Sequence, residues 1–141
     1  MGTLGKSLGS AGGYLASSRS WIDLFINKTR SLIYSTAPPP SQAAASLAAL
    51  DLLNSPEGIE RRGRLKTYSD SFASPTPIIP KIIGENRSAL AASDSLLKSG
   101  FLVPAIRYPT IPRGTARLRI TLSAAHTTEN LNDLKEALAL L

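Results

Sequence analysis

Three consecutive prolines, Pro38-Pro39-Pro40, constrain the first half of this chain more firmly than any other feature. A proline inside a helix removes a backbone hydrogen bond, and its ring collides with the preceding turn, so no helix can run through the triplet. The last proline, with its φ already fixed, is suited to the first position of a new helix. The alanine-rich "SQAAASLAALDLLNS" that follows is strongly helix-forming. Ser55-Pro56-Glu57 punctuates that helix, and Pro56 is placed to open another through "EGIERRGRLKTYSDSFA". Before the triplet, "GGYLAS" (12–17) reads as a short strand. Ser20 and Asp23 have the spacing of a capping box, starting a helix to about Ser31 with Trp21, Leu24, Phe25 and Leu32 at helical spacing. Trp21 is expected in the core.

After "SPTP" the pattern changes. "IIPKIIG" and "FLVPAI" are short β-rich runs separated by the helical "ENRSALAASDSLLKSG", with Gly100 as its stop. "TARLRITLSA" alternates, with Arg117, Arg119 and Thr121 on one face and Leu118, Ile120 and Leu122 on the other. A last helix, "ENLNDLKEALALL", carries Leu131, Leu134, Ala137, Leu138 and Leu141 on one side. The fold class is therefore α/β, divided into residues 1–54, mostly helical after one strand, and a compact α/β domain over 55–141. The lone strand of the first part, without a parallel neighbour, suggests the end of a larger sheet.

Composition narrows the chemistry. With no cysteine and one histidine, a disulfide framework, a thiolate zinc site, a cysteine nucleophile and a histidine-rich metal centre are excluded. A reducing cytoplasm is the expected setting. No apolar run approaches the roughly 18 residues of a membrane span, and neither a membrane partner nor a secretory signal is expected. The net charge of +6 raises nucleic acid as a partner, but the basic residues are scattered, there is no basic arm, and aromatics make up only 6% of the chain. Nucleic acid is therefore not expected. Arg61, Arg62, Arg64 and Lys66 read as a solvated helix face, and His126 as a residue at a helix entry rather than a catalyst.

The most informative single residue is Lys6, alone among small residues in "MGTLGKSLGSAGGY". Gly5-Lys6-Ser7 matches the tail of a phosphate-binding P-loop. That motif needs an earlier glycine, for which there is no position, and should open directly into a helix, whereas "LGSAGGY" is too rich in glycine for one. Two readings stay open from the residues alone: an exposed lysine in a loop, and a primary amine held in a tight turn to form an imine with a cofactor aldehyde.

Three motifs in order, "GTLGKSLGSAGGYL", "IYSTAPPPSQAAASLAAL" and "FLVPAIRYPTIPRGTARLRITLSAAHT", resemble segments of the α-oxoamine synthases, pyridoxal-phosphate enzymes of the aspartate-aminotransferase-like (fold type I) architecture. The resemblance covers essentially the whole chain and only the C-terminal part of the family's length. It is greatest to the biotin-pathway branch, which condenses L-alanine with a pimeloyl thioester, carried by CoA or a carrier protein, with loss of the carboxylate. The "YPT" run is also found in the aminolevulinate branch, so a glycine-using relative of the aminolevulinate synthase or aminoketobutyrate ligase type is the alternative enzyme.

The resemblance implies pyridoxal 5'-phosphate as cofactor, no metal and a homodimer. By matched position it implies that Lys6 forms the imine with the cofactor, that Thr3 binds its phosphate, and that Ser35 and Thr36 approach the phosphate of the other subunit. It likewise implies that Thr110 contacts substrate and that Arg119 holds the amino-acid carboxylate, a task suited to a planar bidentate guanidinium. From the residues alone, Thr3 could equally satisfy a turn, Thr36 cap a helix, and Arg117 or Arg119 lie on a solvated strand face. The family's ring-stacking histidine and the aspartate that pairs with the pyridine nitrogen match no residue here. A C-terminal portion, inactive alone, is therefore the expectation, and a non-catalytic α/β binding or assembly module is the alternative of a different class.

Overall fold

The computed structural model describes residues 1–141 and divides into two compact units, Met1–Ile59 and Glu60–Leu141. In the first, β1 (Gly2–Thr3) and β2 (Gly13–Tyr14) pair antiparallel, Gly2 opposite Tyr14 and Thr3 opposite Gly13. Helices α1 (Arg19–Lys28) and α2 (Pro40–Asn54) follow, and α3 (Pro56–Asp70) begins here. Pro40 and Pro56 open their helices as the fixed φ of proline requires.

Four expectations for this unit are corrected. The strand expected over 12–17 is reduced to Gly13–Tyr14, and it has a neighbour, the antiparallel Gly2–Thr3; Gly12 at φ +89° sets its start. The capping box at Ser20 does not form. The helix begins two residues earlier, behind Ser18, and the Asp23 carboxylate takes the Arg19 guanidinium at 2.9 Å, an i,i+4 pair that outcompetes a reach back to the backbone. That helix also stops at Lys28, where the chain leaves α-geometry at Thr29. Trp21 is 54% exposed rather than core, stacked on Phe25 with ring centroids 6.0 Å apart.

The second unit holds the rest of α3, then β3 (Ile78–Gly84), α4 (Asn86–Lys98), β4 (Ala105–Ile106), β5 (Ala116–Thr121) and α5 (Thr128–Ala139). The sheet order is β3-β5-β4, with β5 antiparallel to both neighbours, so the two strands flanking α4 are separated by the last one. The alternation of β5 is realised: Ala116, Leu118 and Ile120 are buried while Arg119 and Thr121 are exposed. Leu118, Ile120 and Leu122 pack with Ala92 and Leu96 of α4, Val103, and Leu131, Leu134 and Leu138 of α5.

The glycine stop of α4 is built as the sequence suggests, whereas α5 starts at Thr128 behind a cap and ends at Ala139, short of Leu141. Gly100, at φ +89°, closes α4, with the Phe101 amide donating to the Leu96 carbonyl at 2.8 Å and the Gly100 amide to Leu97 at 3.0 Å, a Schellman arrangement. Helix α5 starts with a reciprocal cap: the Asn130 amide donates to Thr127 Oγ1 at 3.1 Å and the Thr127 amide to Asn130 Oδ1 at 3.0 Å. His126 immediately precedes this cap, its Nδ1 accepting from the Ser123 amide at 3.2 Å. Arg64 pairs with Glu60 and Lys66 with Asp70, both at 2.8 Å and i,i+4 along α3.

Candidate functional site

Lys6 lies in the loop that joins β1 to β2. This loop is closed by its own backbone: the Leu4 amide donates to the Gly12 carbonyl at 2.9 Å, and the Ser10 amide to the Leu4 carbonyl at 3.0 Å. At the tip, the Gly9 amide donates to the Lys6 carbonyl at 2.9 Å, and Gly9 at φ +59° supplies the left-handed conformation the turn needs. No helix follows Lys6 and Ser7 until Arg19, which disposes of the P-loop reading. The Lys6 side chain is exposed and is engaged by no hydrogen bond or ion pair.

Thr3 is in the same loop system. Its Oγ1 donates to the Gly12 carbonyl and accepts from the Gly5 amide, each at 3.4 Å, bracing the entry to the loop across nine residues. Both separations are long, so the hydroxyl can redirect its proton to an anion at small cost.

Ser35 and Thr36 lie on the exposed segment between α1 and α2. Tyr34 before them has φ +68°, and Ser35 Oγ donates to the Leu32 carbonyl at 2.6 Å. No hydrogen bond joins this pair to Thr3 or Lys6, so the structure does not bring the two groups together through direct bonds within one chain.

In the second unit Thr110 ends a turn in which its amide donates to the Arg107 carbonyl at 2.9 Å, with a cis peptide at Tyr108-Pro109. Arg113 covers the Tyr108 ring at 4.2 Å from its centroid. Arg119 sits in mid-strand on β5, opposite Pro80 of β3, with its amide bonded to the Pro104 carbonyl at 2.9 Å. Its backbone is thus fixed on both sides, while its guanidinium is exposed and has no partner in the chain. Arg117, on the same face, is different: it is half-buried, and its Nε donates to the Thr115 carbonyl at 3.0 Å. Of the two arginines the alternation puts together, only Arg119 is uncommitted.

Sequence reasoning passed over two residues of α2. Gln42 and Ser46 reach the far limb of the Lys6 loop, Gln42 Nε2 donating to the Ala11 carbonyl at 2.6 Å and Ser46 Oγ to Ser10 Oγ at 2.8 Å. The available signal was a polar pair at i,i+4 in an otherwise alanine- and leucine-rich helix.

The chain is similar to known proteins over nearly its whole length. The chain is 48% identical over 144 residues to the 8-amino-7-oxononanoate synthase of Methylorubrum populi, covering 99% of this chain and 37% of that one. It is 44% identical over 151 residues to the protein of the same name from Geobacter sulfurreducens, covering 99% and 39%. The chain therefore spans under two fifths of the length of these curated relatives. The solved 8-amino-7-oxononanoate synthase of Francisella tularensis superposes with a TM-score of 0.78 at 25% identity, over 98% of this chain and 42% of that one. The α/β fold is accordingly that of part of a fold type I, aspartate-aminotransferase-like protein. The model of the family described as aminotransferase class I and II matches residues 1–138, and the chain belongs to that family.

Proposed function

We propose that this chain supplies the lysine-bearing and carboxylate-binding portion of a pyridoxal-phosphate-dependent 8-amino-7-oxononanoate synthase, which condenses L-alanine with a pimeloyl thioester, carried by CoA or a carrier protein, and releases the carrier as its free thiol and the alanine carboxylate as CO2. In this reading residues 1–54 end the cofactor-binding domain and residues 55–141 form the small domain, the assembly is a homodimer, and the setting is the cytoplasm. The observation that carries the reading is the state of Lys6: an amine without a partner, in a closed loop of small residues. Relatives 44–48% identical across the chain support the choice of reaction.

The residues fit the cofactor. Lys6 offers a free primary amine, Thr3 a hydroxyl three residues away, and Gly9 leaves the loop tip open, since a Cβ there would meet nothing within 4 Å. Pyridoxal phosphate, when bound, supplies an aldehyde for the amine and a ring that delocalises carbanion charge. Lys6 Nζ would hold that aldehyde carbon and, when free, would be placed to remove the Cα proton of L-alanine. Thr3 Oγ1 would donate to the phosphate, and Ser35 and Thr36 would do so for the phosphate held by the partner subunit. Arg119 grips the amino-acid carboxylate through two parallel N–H donors and so sets which Cα bond faces the ring. Thr110 contacts the substrate from the loop after β4.

Borohydride reduction of the chain after addition of pyridoxal phosphate, followed by peptide mapping, tests this reading. Label is expected on Lys6 well ahead of Lys28, Lys66, Lys98 and Lys135, and the preference is expected to vanish in Lys6→Ala. Equal labelling of all exposed lysines would overturn it.

A further inference from the structure

The Lys6 loop has no core of its own. It contains Gly5, Gly9 and Gly12, residues with much conformational freedom to lose, and apart from Leu4, Lys6 and Leu8 its side chains are small. Its near limb is braced by Thr3, and its far limb by α2, through a set of bonds that no assigned role of the site residues explains. Gln42 Nε2 donates to the Ala11 carbonyl at 2.6 Å. Gly12, at φ +89°, permits that approach, for a Cβ there would lie 2.9 Å from the same nitrogen. One turn along, Ser46 Oγ lies 2.8 Å from Ser10 Oγ and 2.9 Å from the Gln42 carbonyl, while Ser10 Oγ lies 3.2 Å from that carbonyl.

Two hydroxyl protons serve these three separations. Ser46 donating to Ser10, and Ser10 donating to the Gln42 carbonyl, satisfies both hydroxyls at once. Ser46 is only 8% exposed, and it is the one buried residue of α2. A buried hydroxyl in this alanine- and leucine-rich helix is costly unless bonded, and its bond is spent on the loop.

We infer that Gln42 and Ser46 are positioning residues: they clamp the Ser10–Gly12 limb and thereby hold Lys6 Nζ where an aldehyde must meet it. The inference rests on the proposed role of Lys6. A reacting amine displaced by about 1 Å loses on the order of a hundredfold in rate, so a loop of glycines that presents one requires an external brace.

The test uses the full chain with Gln42→Ala, and with Gln42→Glu, which keeps the side chain's shape but puts a carboxylate where the donor was. The first readout needs no cofactor: hydrogen exchange at the Leu4 and Ser10 amides, whose bonds close the loop, is expected to accelerate about tenfold in both variants, as expected for one lost hydrogen bond. Exchange in β5 and α5 is expected to stay unchanged, which reports that the fold is intact. Ser46→Ala is expected to give a smaller acceleration, because Ser10 keeps its bond to the Gln42 carbonyl. The second readout is borohydride trapping of pyridoxal phosphate: the rate at Lys6 is expected to fall about tenfold, with Lys28 and Lys66 unaffected. Unchanged loop exchange, or faster exchange with unchanged trapping at Lys6, would overturn the inference. Absence of preferential label on Lys6 in the unsubstituted chain would overturn the cofactor reading alone, and the exchange comparison would still decide the clamp.

Discussion

The two units are held together by different physics. In Glu60–Leu141 the buried apolar side chains of β5, α4 and α5 form one cluster, against which partly buried residues of β3 and β4 pack, with Leu96 and Leu118 essentially inaccessible to water. In Met1–Ile59 no apolar side chain is buried; Leu47 and Ile59 are 63% and 59% exposed. An open apolar recess of about 500 Å³ lies beside the hairpin, lined by Tyr14, Leu15, Ile22, Phe25, Ile26 and Leu32. What order the Lys6 hairpin has comes from backbone closure, positive-φ glycines and the Gln42–Ser46 clamp. Hydrophobic burial therefore stabilises the unit that presents Arg119, and directional hydrogen bonds shape the unit that presents Lys6.

The sharpest way to break this contrast is to make the same truncation in both. Leu118→Ala removes a fully buried side chain from the middle of the sheet and should cost about 3–4 kcal/mol in denaturant unfolding. Leu47→Ala, on an exposed position of α2, should cost under about 0.5 kcal/mol. Comparable losses at the two positions would show that the first unit has a core in solution and that the contrast is wrong.

A second substitution probes a place where the backbone of the first unit is tightly packed. Gly58, in the first turn of α3, is buried, and a Cβ there would overlap the Leu52 carbonyl oxygen and lie 2.6 Å from that of Leu53. Both are backbone atoms at the end of α2, so neither can swing away. Gly58→Ala should cost about 2 kcal/mol, although alanine is otherwise the better helix former. A neutral or stabilising result would mean that the α2–α3 junction is looser than its geometry.

These differences also explain what was legible in the sequence. The period-2 pattern of β5 and the glycine stop of α4 were read correctly because each rests on local geometry that the core then reinforces. Trp21 was misread because helical spacing says which residues share a face, not whether anything covers that face. The Ser20–Asp23 box was misread because Arg19 competes for the same carboxylate. Gly2–Thr3 could not be seen as a strand, since two residues carry no period. In the site, Lys6 stood out by its chemistry and its neighbours. Gln42 and Ser46 did not, because a polar pair four residues apart looks the same whether it faces solvent or a loop.

The smallest effect separates the two arginines of β5. Both leave the same face of the strand, so the alternation of the sequence alone gives them equal roles. Arg117 is half-buried and donates to the Thr115 carbonyl, so Arg117→Ala removes a charge-assisted bond and some packing of the side-chain stem, and should cost about 1 kcal/mol. Arg119 has no partner in the chain, and Arg119→Ala should change stability by less than about 0.5 kcal/mol. The order reverses for ligand: carboxylate binding, read as protection of the β5 amides on titration with L-alanine in the presence of pyridoxal phosphate, should be lost in Arg119→Ala and retained in Arg117→Ala. A guanidinium that contributes nothing to the fold, on a strand whose backbone is fixed from both sides, is available to a ligand. If Arg119→Ala instead destabilised the chain as much as Arg117→Ala, that separation of roles would fail.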